Sequence, residues 1–145
     1  RKESSAASDV YKRQTLNIMG IDMARRILES SHIHPNIQAI IENSHGDIIE
    51  QVQSAVTNNN VVVVGMAQNP APKRARKVLN DNNIDHVYLE YGSYFKEWRR
   101  RNALKMWTGW PTFPMVFVKG TLIGGSSDLR ALIDSGEITS LLAKE

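Results

Sequence analysis

The sequence has no cysteine among its 145 residues. The chain can therefore supply no disulfide, no thiolate nucleophile and no thiolate metal ligand of its own. It also lacks any apolar run near the ~20 residues that a membrane-spanning helix needs, so we expect no membrane partner. An excess of 18 Lys and Arg over 15 Asp and Glu leaves a formal charge of +3, which is too small to indicate nucleic-acid binding by itself.

The composition is that of a globular protein, with 41% hydrophobic and 23% charged residues. Residues 1–18 show no periodicity and are predicted to be a disordered or non-native tail. We expect residues 19–45 to form a helical N-terminal extension and residues 46–145 to form the main domain. The polar start has no apolar signal segment, which favours a cytoplasmic protein.

Helical and strand patterns alternate along the chain. Apolar residues spaced by three and four predict helices over Ile21–Glu29, Ile37–Ile41, Asp47–Thr57, Lys73–Asn80, Tyr94–Trp107, Asp128–Ile133 and Ile138–Leu142. Strands are predicted over Val61–Val64, His86–Glu90, Met115–Val118 and Thr121–Ile123. The predicted inward residues of the long basic helix are Trp98, Leu104 and Trp107. This order predicts an α/β fold with a four-stranded mixed sheet, the β-branched first strand in its interior and helices on both faces.

Five segments between Asp47 and Leu142 form an ordered set. They are the stretch DIIEQVQSAVTNNNVVVVGM, the segment Trp110-Pro111-Thr112-Phe113-Pro114, the hairpin VFVKGTLIGG ending at Gly125, Ser135-Gly136-Glu137 followed by Leu141-Leu142, and Arg101 nine residues before Trp110. In this order and spacing the chain resembles the monothiol glutaredoxins. The resemblance implies a thioredoxin-like (glutaredoxin) fold, glutathione as ligand and a role in redox chemistry or iron–sulfur cluster delivery.

The chain departs from that family at its reactive positions. Asn69 stands where the family has the nucleophilic cysteine of its Cys-Gly-Phe-Ser motif, and Ala67 replaces the lysine after the first strand. The family's Gly-Gly-Cys-Asp becomes Gly124-Gly125-Ser126-Ser127. We therefore predict no catalytic residue, and we expect no thiol–disulfide exchange although the family consists of glutathione-dependent oxidoreductases.

The resemblance implies a glutathione-binding set. Its members are Arg101, Thr112, Phe113, Pro114, Gly125, Ser126 and Ser127. In the family's arrangement Arg101 holds the glycine carboxylate, a cis Pro114 presents the Phe113 backbone to an extended ligand, and the helix start at Gly125–Ser127 holds the γ-glutamyl group.

Simpler interpretations exist for the same residues. Asn69 followed by Pro70 is a good helix cap, although the helix end could instead bind an anion through free N–H groups. Pro114 could be a trans residue at a strand edge, and Ser127-Asp128 could simply cap a helix. The arginines at 99–101 cannot all point to one site, because successive helical residues are rotated by about 100°.

The remaining polar clusters predict little chemistry. The basic run Lys73, Arg74, Arg76 and Lys77 is typical of a solvated helix face, and no nucleic-acid motif accompanies it. His32 and His34 lack carboxylate or cysteine companions at ligand spacing, so no metal site is predicted. The sequence thus indicates a non-catalytic module that binds glutathione, an extended peptide or a protein partner. The alternative is a participant in redox homeostasis or iron–sulfur cluster delivery that relies on a partner's thiols, since we do not expect the chain to bind a cluster itself.

Overall fold

The computed structural model describes residues 25–144, which divide into two units between Asn43 and Ser44. In the first unit a 3₁₀ turn over Ser30–His32 precedes helix α1, Pro35–Asn43. Residues 25–29 are not helical, so the helix predicted over Ile21–Glu29 is wrong where it can be examined. A short helix without packing partners is marginal in water, and Ile27 and Leu28 are exposed. Residues 1–24, including the predicted tail, lie outside the described part.

The second unit contains the predicted alternation of helices and strands. Its elements are α2 (Gly46–Asn58), β1 (Val61–Gly65), α3 (Pro70–Asp81), β2 (Val87–Glu90), α4 (Trp98–Thr108), β3 (Met115–Val118), β4 (Thr121–Gly124), α5 (Ser126–Asp134) and α6 (Glu137–Leu142). The strand order is β2-β1-β3-β4, with β1 parallel to β2 and antiparallel to β3, and β3 antiparallel to β4. The predicted mixed sheet is confirmed. None of the helices within residues 25–144 is both long and apolar enough to span a bilayer.

Strand β1 is the centre of the core, because all five of its residues are buried. Val62 and Val64 pack with α2 and α4 on one face of the sheet, whereas Val61 and Val63 pack with α3, α5 and α6 on the other. Alternating side chains of one strand thus face two helical layers. Complete burial of each valine stabilises the fold by about 1.5–3 kcal/mol. Because the valines anchor the strand in the core, they also fix the position of both its ends.

Helix α4 begins at Trp98 and not at the predicted Tyr94. The preceding residue, Glu97, has a φ of 66°, and this left-handed conformation cannot continue a right-handed helix. Trp98 lies on the surface with 49% of its area exposed, so its predicted inward position is wrong. Leu104 is buried as predicted, and Trp107 packs partly buried against the core.

The strand register brings four segments together at one edge of the sheet, the edge formed by the ends of β1, β2 and β4 and the start of β3. Val64 at the end of β1 pairs with Met115 at the start of β3, and Val116 pairs with Gly124 at the end of β4. The parallel strand β2 ends at the same edge. The start of α3, the loop of residues 91–97, the Phe113-Pro114 segment and the start of α5 all adjoin this edge.

Candidate ligand-binding site

Asn69, which stands at the position of the family's nucleophile, caps helix α3. Its side-chain Oδ1 accepts a hydrogen bond from the N–H of Ala71 at 3.0 Å, and Pro70 occupies the first helical position. The predicted cap is confirmed. Pro70 and Pro72 have no N–H, so Ala71 is the sole donor among the first three residues of the helix, and its N–H is already bonded. This helix end has little left to offer an anion.

The Phe113-Pro114 peptide bond is cis, as predicted. Phe113 is buried in the core, while Thr112 is exposed beside it. Among residues 25–144, neither the N–H nor the carbonyl of Phe113 takes part in a hydrogen bond. These free groups could pair with an extended ligand in the manner of an added strand.

The indole of Trp110 lies under the start of α5. A methyl group on Gly125 would be 3.8 Å from the indole nitrogen and 3.5 Å from the Pro114 carbonyl oxygen, so the two predicted segments adjoin. The indole Nε1 is buried without a hydrogen-bond acceptor among the described residues. Buried polar atoms are rarely unpaired, so the unpaired indole nitrogen of Trp110 beside Gly125 is unusual.

Helix α5 starts at Ser126, two residues before its predicted start. Its N-cap is Gly125, whose N–H donates to Asp128 Oδ2 at 2.9 Å, so of the alternative Ser127-Asp128 cap it is Asp128 that takes part. Ser127 instead lies exposed in the first turn, because the carboxylate reaches back past it. No hydrogen bond within the described residues uses the N–H of Ser126 or Ser127. This helix end therefore retains unbonded donors, among them the N–H groups of Ser126 and Ser127, next to one negative charge.

Arg101 has a structural contact that the sequence did not predict. Its side chain is 6% exposed, and Nη1 donates to the carbonyl oxygens of Tyr91, at 2.8 Å, and Lys96, at 2.6 Å. Burial lowers the pKa of this guanidinium, and the charge of Glu97 opposes that shift. The guanidinium closes the loop of residues 91–97. Its contact with a glutathione carboxylate stays a prediction.

The neighbouring Arg100 contacts carboxylates at the surface instead. Its guanidinium bridges Asp47, at 2.9 Å, and Glu97, at 2.6 Å. The closed loop exposes aromatic side chains, with Phe95 90% exposed and Trp98 beneath the guanidinium of Arg99. No three His, Asp or Glu side chains within residues 25–144 come together as a metal site would require.

Comparisons with known proteins agree with this geometry. The family model described as glutaredoxin matches residues 61–123. The chain is 47% identical over 121 residues to a glutaredoxin-like protein of Dictyostelium discoideum, covering 83% of this chain and 97% of the relative. It is 29% identical over 98 residues to the chloroplastic bifunctional monothiol glutaredoxin-S16 of Arabidopsis thaliana, covering 64% of this chain and 33% of the relative.

A solved structure extends the likeness to the fold. The crystal structure of a buckwheat glutaredoxin–glutathione complex matches with a TM-score of 0.60 at 23% identity, covering 70% of this chain and 92% of that chain. The predicted thioredoxin-like fold is confirmed.

Proposed function

Because this chain belongs to the glutaredoxin family and yet has no cysteine, we propose that it is a non-catalytic module that binds glutathione or an extended peptide and acts as an adaptor. Thiol–disulfide exchange proceeds by attack of a thiolate, and no side chain here can provide one. The observation that carries the proposal is the combination of a capping Asn69 with an unpaired Phe113 backbone. A [2Fe–2S] cluster is not part of the proposal, because this chain lacks the thiolates that hold such clusters.

Glutathione would bind mainly through backbone groups. The N–H and carbonyl of Phe113 would pair with its peptide backbone, and the N–H groups of Ser126 and Ser127 would hold a carboxylate. The fit is partial, because Ala67 carries no charge and Asp128 places a carboxylate at the same helix end. We therefore expect a dissociation constant of about a millimolar, some 4 kcal/mol of binding free energy.

A titration of the ¹⁵N-labelled chain with glutathione tests the binding. Saturable shifts should appear at the amides of Phe113, Ser126 and Ser127. The variant Ser127→Glu adds a negative charge to the first turn of α5, which suits the helix dipole but repels the ligand carboxylate. We expect roughly tenfold weaker binding in this variant, from about 1 kcal/mol of repulsion.

The matched control is Ser140→Glu, which makes the same change at an exposed position on α6. It should bind glutathione as the parent chain does. Absence of saturable shifts at millimolar glutathione would remove the glutathione part of the proposal. Reduction of a glutathione mixed disulfide above background by the parent chain would remove the non-catalytic part.

A further inference from the structure

A groove runs along helix α3 beside strand β2. It consists of two depressions of about 420 and 560 Å³ that share Lys73, Arg76 and Tyr88. One depression extends to Asn69 at the start of α3 and the other to Asp81 at its end. The groove therefore follows the full length of the helix, about 18 Å for 12 residues. Its elongated form suits a chain segment better than a compact ligand.

The centre of the groove is positively charged. The guanidinium of Arg76 lies 4.1 Å from the centre of the Tyr88 ring, and its Nε is buried without an acceptor among the described residues. Neither Arg76 nor Lys73 forms an ion pair within residues 25–144. The carboxylates lie at the ends, where Asp81 bonds to Lys77 and Glu90 accepts from the Tyr88 hydroxyl. Two central cations are thus left for an external carboxylate.

The Tyr88 ring on which Arg76 stacks is itself held in place by a hydrogen bond. Burial is the main cause that raises the pKa of Tyr88 to about 12, with the hydrogen bond to Glu90 adding to it and Arg76 opposing it. In the structure the hydroxyl donates to Glu90 Oε1 at 2.9 Å. The arrangement orients Arg76 before any ligand binds, which lowers the entropy lost on binding.

Strand β2 forms an open wall of this groove. Among the described residues it pairs with β1 alone. The N–H of Tyr91 points to β1, where it bonds to the Gly65 carbonyl at 2.9 Å. Backbone groups alternate in direction along a parallel strand, so those of Tyr88 and Glu90 point away from the sheet. They are free to pair with a further strand.

We propose that this groove binds a protein partner through an extended segment that adds to the edge of β2 and places two acidic side chains against Lys73 and Arg76. Alternate residues of an extended peptide are about 7 Å apart on one side. Helical residues three apart have Cβ atoms about 5–6 Å apart, and the long side chains of Lys73 and Arg76 can span the remaining difference. The surface is separate from the Phe113 backbone and stands whether or not glutathione binds.

Fluorescence anisotropy tests the charge requirement. The probe is a labelled nine-residue peptide of alternating Thr and Ser with Glu at its fourth and sixth positions, and the comparison peptide has Gln there. The Glu probe should bind about tenfold more tightly at low salt, because charge-assisted hydrogen bonds are the stronger kind, and should weaken with added salt. Arg76→Gln and Lys73→Gln should each remove most of this preference.

The control variant is Arg130→Gln, which removes the same charge from the exposed surface of α5, where Arg130 pairs with Asp134. It should leave the affinity unchanged. Lys73 is exposed, so Lys73→Gln keeps the test valid if Arg76→Gln unfolds the chain. Ser127→Glu should also bind the peptide normally, which separates this proposal from the glutathione site.

Amide hydrogen exchange tests the strand addition. The amides of Tyr88 and Glu90 should exchange rapidly in the free protein and several-fold more slowly with the Glu probe. Equal binding of the Glu and Gln peptides, or no protection of these two amides, would overturn the proposal. Tighter binding of a single-stranded oligonucleotide that depends on Arg76 would also overturn it and assign the groove to nucleic acid.

Discussion

Helices α3 and α5 both start at the edge of the sheet that the ends of β1 and β4 form, and their first turns differ in chemistry. Helix α3 begins with Asn69, Pro70, Ala71 and Pro72, and its single available N–H is bonded to the Asn69 side chain. Helix α5 begins after Gly125 with the N–H groups of Ser126 and Ser127 unbonded, and the carboxylate of Asp128 accepts from the Gly125 N–H. The first is neutral and nearly without donors, whereas the second has donors and a fixed negative charge.

This difference shows that α3 departs from the family's motif in more than one sulfur atom. At α3 both the nucleophile and the backbone donors that would stabilise an anion are absent. At α5 the donors persist, although the neighbouring carboxylate weakens their attraction for an anion. Any remaining affinity for an anionic ligand should therefore depend on α5.

Restoring a cysteine at α3 should have the largest effect. Asn69→Cys frees the Ala71 N–H and places a thiol at the positive end of the helix dipole. Its pKa should fall below the usual 8.5, and its reduction of a glutathione mixed disulfide should exceed that of Asn80→Cys by about a hundredfold, roughly tenfold from thiolate and tenfold from positioning. Asn80 is exposed near the other end of the same helix. Equal rates for the two variants would mean that the site no longer positions glutathione.

At α5 the largest effect on stability is expected at Gly124. Its φ is 112°, and a Cβ would lie 2.5 Å from Asp128 Oδ2. Gly124→Ala should lower the free energy of unfolding by about 2 kcal/mol through backbone strain and the displaced cap. Gly46→Ala, where a Cβ would meet nothing within 4 Å, is the control for urea denaturation. Similar results for both variants would contradict the close contact described at α5.

Removing the carboxylate of Asp128 should lower the free energy of unfolding by less than Gly124→Ala does. Asp128→Ala should lower the free energy of unfolding by about 1.5 kcal/mol, because the cap hydrogen bond and its interaction with the helix dipole are both lost. The same variant should bind glutathione more tightly, since the repelling charge is gone. Asp134→Ala, at the other end of α5, should show neither change. An unaltered affinity in Asp128→Ala would show that this charge does not limit binding.

The smallest change in the free energy of unfolding is expected at Asn69, the neutral cap of α3. Asn69→Ala should lower the free energy of unfolding by about 1 kcal/mol, whereas Asn69→Asp keeps an acceptor and should restore it. Neither variant should change glutathione affinity much, because α3 has so few donors. A clear loss of affinity in Asn69→Ala would mean that the cap also contacts the ligand.

The sheet and the α3 cap could be predicted because their signals are local. The run Val61–Val64 is apolar on both faces, and Asn69-Pro70 is a typical helix start, so neither depends on distant residues. The cis Pro114 came from family resemblance. The predicted inward position of Trp98 and the predicted helix start at Asp128 failed, because they depend on a left-handed Glu97 and on a carboxylate reaching back to Gly125.

Arg101 shows a different limit of prediction from the sequence. Its burial depends on carbonyl groups of Tyr91 and Lys96, which any residue type would provide equally well. A buried arginine on backbone oxygens therefore leaves no pattern in the sequence beyond its own presence. The groove beside β2 is similar, because the position of Arg76 on the Tyr88 ring depends on two elements packing together.

The two prolines at the start of α3 limit what a single substitution at Asn69 could achieve. The Cys-Gly-Phe-Ser motif of the monothiol glutaredoxins has an N–H at each of its positions, whereas Pro70 and Pro72 of this chain have none. A single codon change at Asn69 would return the sulfur but not those donors, and Pro72 is also buried against Gly65. A thiol with a full set of N–H donors in the first turn therefore requires changes at Asn69, Pro70 and Pro72 together, so a cysteine at position 69 alone would act without those donors.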